Sequence, residues 1–135
     1  MIDQKDLICK ALKARENAYA SYSAFTVGAA LLARDGRVFL GANVENASFG
    51  ATLCAERAAF GAAVSAGVRD FAAVAVVGGK GDSLTAFCPP CGICRQVMAE
   101  LCCEDFQILL FDGEKTRAFT LKEMLPYGFG AKELG

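Results

Sequence analysis

The sequence predicts a three-layer α/β/α sandwich around a mixed β-sheet, folded as a single domain over residues 1–135. The chain has 135 residues and 54% of them are hydrophobic, so it can bury a sizeable core, and this length is usual for one domain. Two strand-like segments joined at Arg34-Asp35-Gly36 predict an antiparallel hairpin near the start. Later apolar segments alternate with helical ones, which favours crossover connections and therefore a mixed sheet.

The first half of the chain supplies a helix, the hairpin and a polar stretch. Residues 4–19 place apolar side chains on one helical face and most lysines elsewhere, which predicts an amphipathic helix. Residues 26–33 and 37–44 are the predicted hairpin strands. The second strand runs into a polar stretch that is either a capped loop or, through Asn43 and Glu45, a holder for a polar ligand at the strand end.

The second half alternates helices with apolar strands. An alanine-rich run at 53–66 predicts a helix with Thr52 as its N-cap and Gly67 just after its last turn. A second helix at 91–101 is introduced by Pro89-Pro90, since proline fits the first helical position. The other predicted elements are a strand at 71–77, a glycine-containing loop at 78–85, strands at 106–111 and 117–121, and a short helix at 121–125.

Cysteine and histidine counts restrict the chemistry. Seven cysteines, an odd number, without a recognisable secretion signal favour metal binding or buried thiols over a disulfide framework. The sequence contains no histidine, which excludes Ser-His-Asp and Cys-His catalysis and any metal bound by histidine. A general base must therefore be a carboxylate, a lysine, a tyrosine or a cysteine.

Three of the cysteines fall at the predicted starts of two helices. Cys54 and Glu56 lie in the first turn of one helix, where the positive helix end favours a thiolate. Cys91 and Cys94 are spaced so that both thiols face one side of the first turn of the other helix. Three thiols in two clusters can bind a tetrahedral Zn²⁺ and leave its fourth position for water, with Glu56 close enough to serve that water without ligating the metal.

Cys88 leaves other interpretations open. Residues 88–91 form a C-x-x-C, which is typical of a redox pair, and with Cys94 they resemble part of an iron–sulfur motif. Neither interpretation explains Cys54 with its Glu56. Cys88 could also supply the fourth protein ligand that a purely structural zinc requires.

Charge and hydropathy narrow the range of partners. The net charge is −1 and the basic residues are dispersed, which disfavours a nucleic-acid partner and favours a small uncharged ligand. Nowhere do about 18 apolar residues run together without a charge, so no membrane span is expected. Residues 1–6 are charged and lack the apolar stretch of a signal peptide, which predicts a cytoplasmic location.

Six motifs together resemble the cytidine deaminases of the small homotetrameric class, whose zinc is bound by cysteines alone. The motifs are Y-x-x-Y-S-x-F-x-V-G-A-A-L at 19–31, D-G-R at 35–37, N-V-E-N-A-S at 43–48, C-A-E-R at 54–57, P-C-G-x-C-R-Q at 90–96 and M-L-P at 124–126. The paired zinc motifs are specific to zinc deaminases. N-V-E-N separates free-nucleoside deaminases from relatives with the same zinc core, including blasticidin-type enzymes.

The resemblance implies a reaction and its machinery. One Zn²⁺ per chain would be bound by Cys54, Cys91 and Cys94, Glu56 would shuttle protons, and Arg57 would hydrogen-bond the thiolates. Cytidine and 2'-deoxycytidine would become uridine and 2'-deoxyuridine plus ammonia, in pyrimidine salvage. The alternative of a non-catalytic zinc protein has no use for Glu56.

The resemblance also implies how a nucleoside is held. Asn43 and Glu45 would bind the ribose, Phe25 would pack on the cytosine, and the Ala55 backbone would meet the base. Phe129 would reach into the active site of an adjacent subunit, so that a homotetramer shares its sites.

Three positions depart from the family pattern. Cys88 is an additional cysteine, Phe49 stands where tyrosine is common, and Tyr127 stands where a small residue is common. These departures bear on the shape of the pocket rather than on the reaction.

Overall fold

The computed structural model describes residues 2–84 and 86–135, which form a five-stranded sheet flanked by helices. The strands are β1 (Phe25–Ala33), β2 (Val38–Ala42), β3 (Phe71–Lys80), β4 (Gln107–Phe111) and β5 (Thr116–Thr120). The helices are α1 (Gln4–Arg15), α2 (Ala55–Ser65), α3 (Gly92–Leu101), α4 (Leu121–Met124) and α5 (Ala131–Leu134). None of the helices in these two ranges is long and apolar enough to cross a membrane.

The sheet is mixed, with the strand order β2-β1-β3-β4-β5. Strand β1 pairs antiparallel with both β2 and β3, while β3 and β4 run parallel and are connected through α3. Strand β5 returns antiparallel to β4. The predicted hairpin and mixed sheet are therefore confirmed.

Helices cover both faces of this sheet. Helix α1 packs on one face, where Leu7, Ile8 and Ala11 share a core with inward-facing residues of β1, β3 and β4. Helices α2 and α3 pack on the other face, in a larger core that includes Phe60 and Met98. The predicted three-layer α/β/α sandwich is confirmed.

Two glycines allow these helices to lie close to the sheet. A Cβ on Gly28 in β1 would lie 2.1 Å from the carbonyl oxygen of Ala11, and one on Gly41 in β2 would lie 2.2 Å from that of Ala55. Any side chain at these positions would therefore push α1 or α2 outward. Gly41 thus sets how closely the start of α2, with Cys54 before it, approaches the sheet.

Contacts between distant segments shorten two predicted elements. Helix α1 ends at Arg15 rather than at residue 19, because Tyr19 forms a parallel bridge with Val44. Strand β2 ends at Ala42 rather than at residue 44, because Val44 exchanges backbone hydrogen bonds with Leu53, both 2.9 Å long. The polar stretch is therefore anchored at both ends.

One predicted loop is partly strand. Strand β3 continues to Lys80, with Gly78 and Gly79 paired to β1, so the expected loop at 78–85 begins only after the strand. Thr85, which belongs to that predicted loop, lies outside the described residues. Helix α5 was not predicted, since four residues carry too little periodicity to indicate a helix.

Both zinc-motif helices begin directly after a thiol. The N-cap of α2 is Cys54 and not Thr52 as predicted, because the chain is still extended at Leu53, which is held in its bridge. The N-cap of α3 is Cys91, so Pro90 precedes the cap and does not occupy the first helical position. The sequence pattern therefore placed both helices correctly but not their first residues.

Candidate active site

Three sulfur atoms meet where α2 and α3 begin. Cys54 and Cys91 cap the two helices and Cys94 lies in the first turn of α3. Cys91 Sγ lies 3.7 Å from Cys54 Sγ and 3.5 Å from Cys94 Sγ, and all three sulfurs lie within 4.8 Å of one another. Zn–S bonds of about 2.3 Å in a tetrahedral site place two sulfurs about 3.8 Å apart, so the cluster fits one zinc ion per chain.

The surroundings favour a thiolate at Cys54, one of the three clustered cysteines. Neither Cys54 nor Cys91 uses its sulfur to cap its own helix, so the sulfurs face one another near two positive helix ends. A hydrogen bond with Cys94, together with one from Arg57, lowers the pKa of Cys54 to about 5. The contact with Cys54, together with burial, raises the pKa of Cys94, so Cys54 is the thiol of this pair that ionises first.

Cys88 lies apart from this cluster. A Cβ on Gly78 would come 2.8 Å from Cys88 Sγ, which shows that this thiol packs onto β3, and burial raises its pKa to about 11. Within residues 2–84 and 86–135, the cluster of possible metal ligands contains Cys54, Cys91 and Cys94 and no fourth residue. The geometry therefore does not support Cys88 as a fourth ligand, and the metal site is open.

Glu56 is a buried carboxyl group beside the thiols. It is the second residue of α2 and only 4% exposed. Burial, reinforced by the negative charge of Cys54, raises its pKa to about 7. Such a group can both accept and release a proton at neutral pH, which general acid–base catalysis requires.

Arg57 places a positive charge against the cluster. Its Nη2 donates to Cys54 Sγ at 3.5 Å and to the carbonyl oxygen of Thr52 at 3.3 Å. Its Nε is buried, and the described part of the chain offers that atom no hydrogen-bond partner. The guanidinium is thus held at the thiols, where it offsets negative charge.

Asn43 joins the end of β2 to the start of β1. Its Oδ1 accepts from the Val27 backbone N–H at 2.8 Å, and its Nδ2 donates to the Phe25 carbonyl oxygen at 2.9 Å. The side chain is buried, with 8% of the residue exposed. One amide N–H and one lone pair remain for a ligand.

Glu45 binds the turn that precedes β1. Its carboxylate accepts hydrogen bonds from the Tyr22 and Ser23 backbone N–H groups and from the Ser23 hydroxyl, which together lower its pKa. Phe25, the first residue of β1, keeps 37% of its surface exposed. Asn43 and Glu45 therefore anchor backbone around the start of β1, about 20 residues earlier in the chain, and both keep groups available to a ligand.

The structure brings some predicted site residues together and leaves one apart. The thiols form one group with Arg57 and the nearby Glu56, and hydrogen bonds join Asn43 and Glu45 to the segment around Phe25. Ala55, fully buried, is the first residue of α2. Phe129 lies in the tail between α4 and α5, 58% exposed, and contributes to a cavity of about 770 Å³ whose lining includes none of the three thiols.

Sequence reasoning missed residues whose side chains bind the backbone around the site, among them Arg95 and Gln96. Arg95 donates from Nε to the Pro90 carbonyl oxygen at 2.8 Å and from Nη1 to that of Met124 at 2.6 Å. Gln96 donates to the Phe129 carbonyl oxygen at 2.8 Å. Both belong to the motif P-C-G-x-C-R-Q, where they directly follow Cys94. Polar residues just after a predicted metal ligand were the signal that could have pointed to them.

An open metal site beside a buried acid–base group is what zinc-dependent hydrolases use to activate water. The fold and the site together therefore indicate a zinc-dependent hydrolase. Residues 1–110 match the model of a family described as the cytidine and deoxycytidylate deaminase zinc-binding region. The chain belongs to this family.

Relatives match over nearly the whole chain. A cytidine deaminase of Halalkalibacterium halodurans is 49% identical, with 98% of each chain covered. A cytidine deaminase of Mycobacterium tuberculosis is 44% identical over 98% of this chain and 94% of its own. The crystal structure of a cytidine deaminase from Burkholderia pseudomallei, 46% identical, superposes with a TM-score of 0.87 over 96% of this chain and 100% of the other.

Proposed function

We propose that the chain, as one catalytic domain over residues 1–135, hydrolyses cytidine and 2'-deoxycytidine to uridine and 2'-deoxyuridine with release of ammonia. The observation that carries this proposal is Glu56, buried beside three clustered thiols with a pKa raised to about 7. Three relatives named cytidine deaminase, similar over nearly the full chain, support the substrate.

Cys54, Cys91 and Cys94 would hold the zinc ion. When bound, Zn²⁺ would supply Lewis-acid chemistry that lets water attack C4 of the cytosine ring, the carbon that carries the amino group, at neutral pH. Glu56 would carry the protons: its carboxylate takes one from the attacking water and delivers it to ring N3. It then takes the remaining proton from the same oxygen, as C4 becomes a carbonyl and the C–N bond breaks, and passes it to the departing amine. The balance is one nucleoside and one water giving one uridine product and one ammonia.

Arg57 and the two helix ends adjust the charge of the site. Three thiolates would leave a divalent ion with a net charge of about −1, which weakens its action on water. The Arg57 guanidinium lies 3.5 Å from Cys54 Sγ and offsets this charge. The N-termini of α2 and α3 add partial positive charge at the same place.

The nucleoside would be held at the neighbouring ends of β1 and β2. The exposed ring of Phe25 would pack on the pyrimidine, and the backbone of Ala55 would meet the edge of the base. Asn43 and Glu45 would use their remaining hydrogen-bonding groups on the ribose. An uncharged nucleoside suits a chain of net charge −1.

The working form would be a homotetramer that shares its active sites. Large apolar side chains stand exposed on the single chain, among them Phe49 at 78%, Tyr127 at 106% and Phe129 at 58%. Closed homo-oligomers are the common way to cover such surface. Phe129 would then complete the site of a neighbouring copy, in a cytoplasmic enzyme of pyrimidine salvage.

A substrate panel tests the proposed function. The zinc-loaded protein is incubated with cytidine, 2'-deoxycytidine, cytosine, dCMP and adenosine, and loss of ultraviolet absorbance and release of ammonia are followed. We expect turnover of the two cytosine nucleosides and little of the others, because cytosine lacks the sugar, dCMP carries charge and adenosine has a larger base. Turnover of dCMP alone, or none with zinc bound, would contradict the proposal.

A further inference from the structure

Ser23 connects two residues that the proposed function places against the substrate. Its hydroxyl donates to Glu45 Oε2, and Ser23 Oγ in turn accepts from the Phe25 backbone N–H at 3.0 Å. Its own backbone N–H donates to Glu45 Oε1 at 3.0 Å, beside the Tyr22 N–H at 2.9 Å. One serine therefore ties a carboxylate to the first residue of β1.

These bonds leave the Glu45 carboxylate in one orientation. A carboxylate offers about four lone-pair directions. Both directions on Oε1 are taken by the Tyr22 and Ser23 N–H groups, and one on Oε2 is taken by the Ser23 hydroxyl. One direction on Oε2 stays open to a ligand hydroxyl, so the acceptor is aligned before a ligand arrives. Alignment before binding reduces the entropy that binding must overcome.

The backbone next to Ser23 turns sharply at Ala24. Ala24, between Ser23 and Phe25, has a φ of 61°, a left-handed conformation that alanine seldom adopts. Its N–H donates to the Ala20 carbonyl oxygen at 2.9 Å, and its own carbonyl oxygen accepts from the Gly81 N–H at 3.2 Å. The turn is therefore maintained by hydrogen bonds and not by local preference.

We propose that Ser23 is a positioning residue for nucleoside binding, acting through the Glu45 carboxylate that it aligns. This inference rests on the proposed function, because Glu45 and Phe25 are substrate contacts only in that account. Within the described residues Ser23 makes hydrogen bonds to Glu45 and Phe25 and none to the thiols or Glu56, so we expect it to affect binding more than the chemical step.

The test compares Ser23→Ala, Ser23→Thr and the control Ser21→Ala in the zinc-loaded protein. Ser21 is an exposed neighbour whose side chain makes no hydrogen bond within the described residues. For Ser23→Ala we expect KM for cytidine to rise about tenfold while kcat changes less than about twofold, since a hydrogen bond to a charged group is lost. Ser23→Thr keeps the hydroxyl and should restore KM to within about threefold of the wild type, and Ser21→Ala should match the wild type.

A second background separates positioning from general destabilisation. If Ser23 acts through Glu45, adding Ser23→Ala to Glu45→Ala should raise KM less than about twofold further. An unchanged KM in Ser23→Ala, a further tenfold rise in the double variant, or no rescue by Ser23→Thr would overturn the inference. If the wild type itself does not deaminate cytidine, the proposed function fails first, and that result is distinct from all of these.

Discussion

Arg57 Nη2 and Cys54 Sγ lie 3.5 Å apart, so the chain carries a cation beside the sulfur of the residue that immediately precedes α2. In the proposed reaction Arg57 would offset the charge of the thiolate that it contacts, while its neighbour Glu56 would transfer protons. These two consecutive side chains lie in the first turn of α2.

Removing the Arg57 charge should loosen the metal. For Arg57→Ala we expect lower zinc content after purification, faster zinc loss to a chelator and lower kcat, because negative charge on three thiolates is no longer offset. Arg37→Ala, at the far end of the hairpin in an exposed ion pair, is the control and should retain zinc as the wild type does. Equal rates of zinc loss in the wild type, Arg57→Ala and Arg37→Ala would show that the helix N-termini alone offset the thiolate charge.

Cys88 and Cys91 should respond differently to replacement by serine. Cys91→Ser should lose the zinc ion, because it removes one of three ligands, while Cys88→Ser should keep it, because that thiol packs onto β3 away from the cluster. Metal analysis of the purified variants measures both. Loss of zinc from Cys88→Ser would instead support a structural zinc site in which Cys88 is the fourth protein ligand.

Asn43 and Glu45 should differ in their effect on stability. Glu45→Ala should raise KM for cytidine about tenfold or more and leave the free energy of unfolding nearly unchanged, since the N–H groups it frees are exposed to water. Asn43→Ala should raise KM and also cost about 1–3 kcal/mol, because two backbone groups lose their partner. Denaturant unfolding with cytidine kinetics measures both, with the exposed Glu16→Ala as control. Wild-type KM in Glu45→Ala would contradict its ribose role.

Phe129 should complete a neighbouring site. Glu56→Ala and Phe129→Ala are each expected to be weak, but mixed tetramers made by unfolding and refolding them together contain sites with an intact Glu56 and a neighbour's intact Phe129. Activity of the mixture should exceed that of either parent. Simple averaging, with mixed tetramers confirmed by native mass spectrometry, would mean that Phe129 serves its own chain.

Periodicity was sufficient to predict the layers of the fold, because the alternating and helical patterns record which faces are buried. The starts of α2 and α3 were not predictable in the same way. Thr52 is a good N-cap by residue type, and only the bridge between Leu53 and Val44 shows that the chain is still extended there. The residue types around Thr52 do not indicate that Leu53 pairs with Val44.

The thiol cluster could be predicted because its ligands lie at fixed spacings near helix starts. The backbone bonds of Asn43 and Glu45 could not, since they join β2 and the following stretch to residues much earlier in the chain. Ser23 was missed for the same reason, although it lies in the motif at residues 19–31. The roles of Asn43, Glu45, Phe25 and Phe129 toward a substrate stay predictions.

Glu56→Gln tests the central claim most directly, because it changes one oxygen to nitrogen and leaves the thiols untouched. With cytidine as substrate and zinc content measured on the same sample, we expect full metal occupancy, an unchanged fold and a fall in kcat of about 10⁴-fold or more, since one carboxyl group serves several proton transfers. Glu16→Gln, an exposed glutamate at the end of α1, should keep wild-type kcat. A zinc-loaded Glu56→Gln protein that retains about a tenth of wild-type turnover would contradict the account.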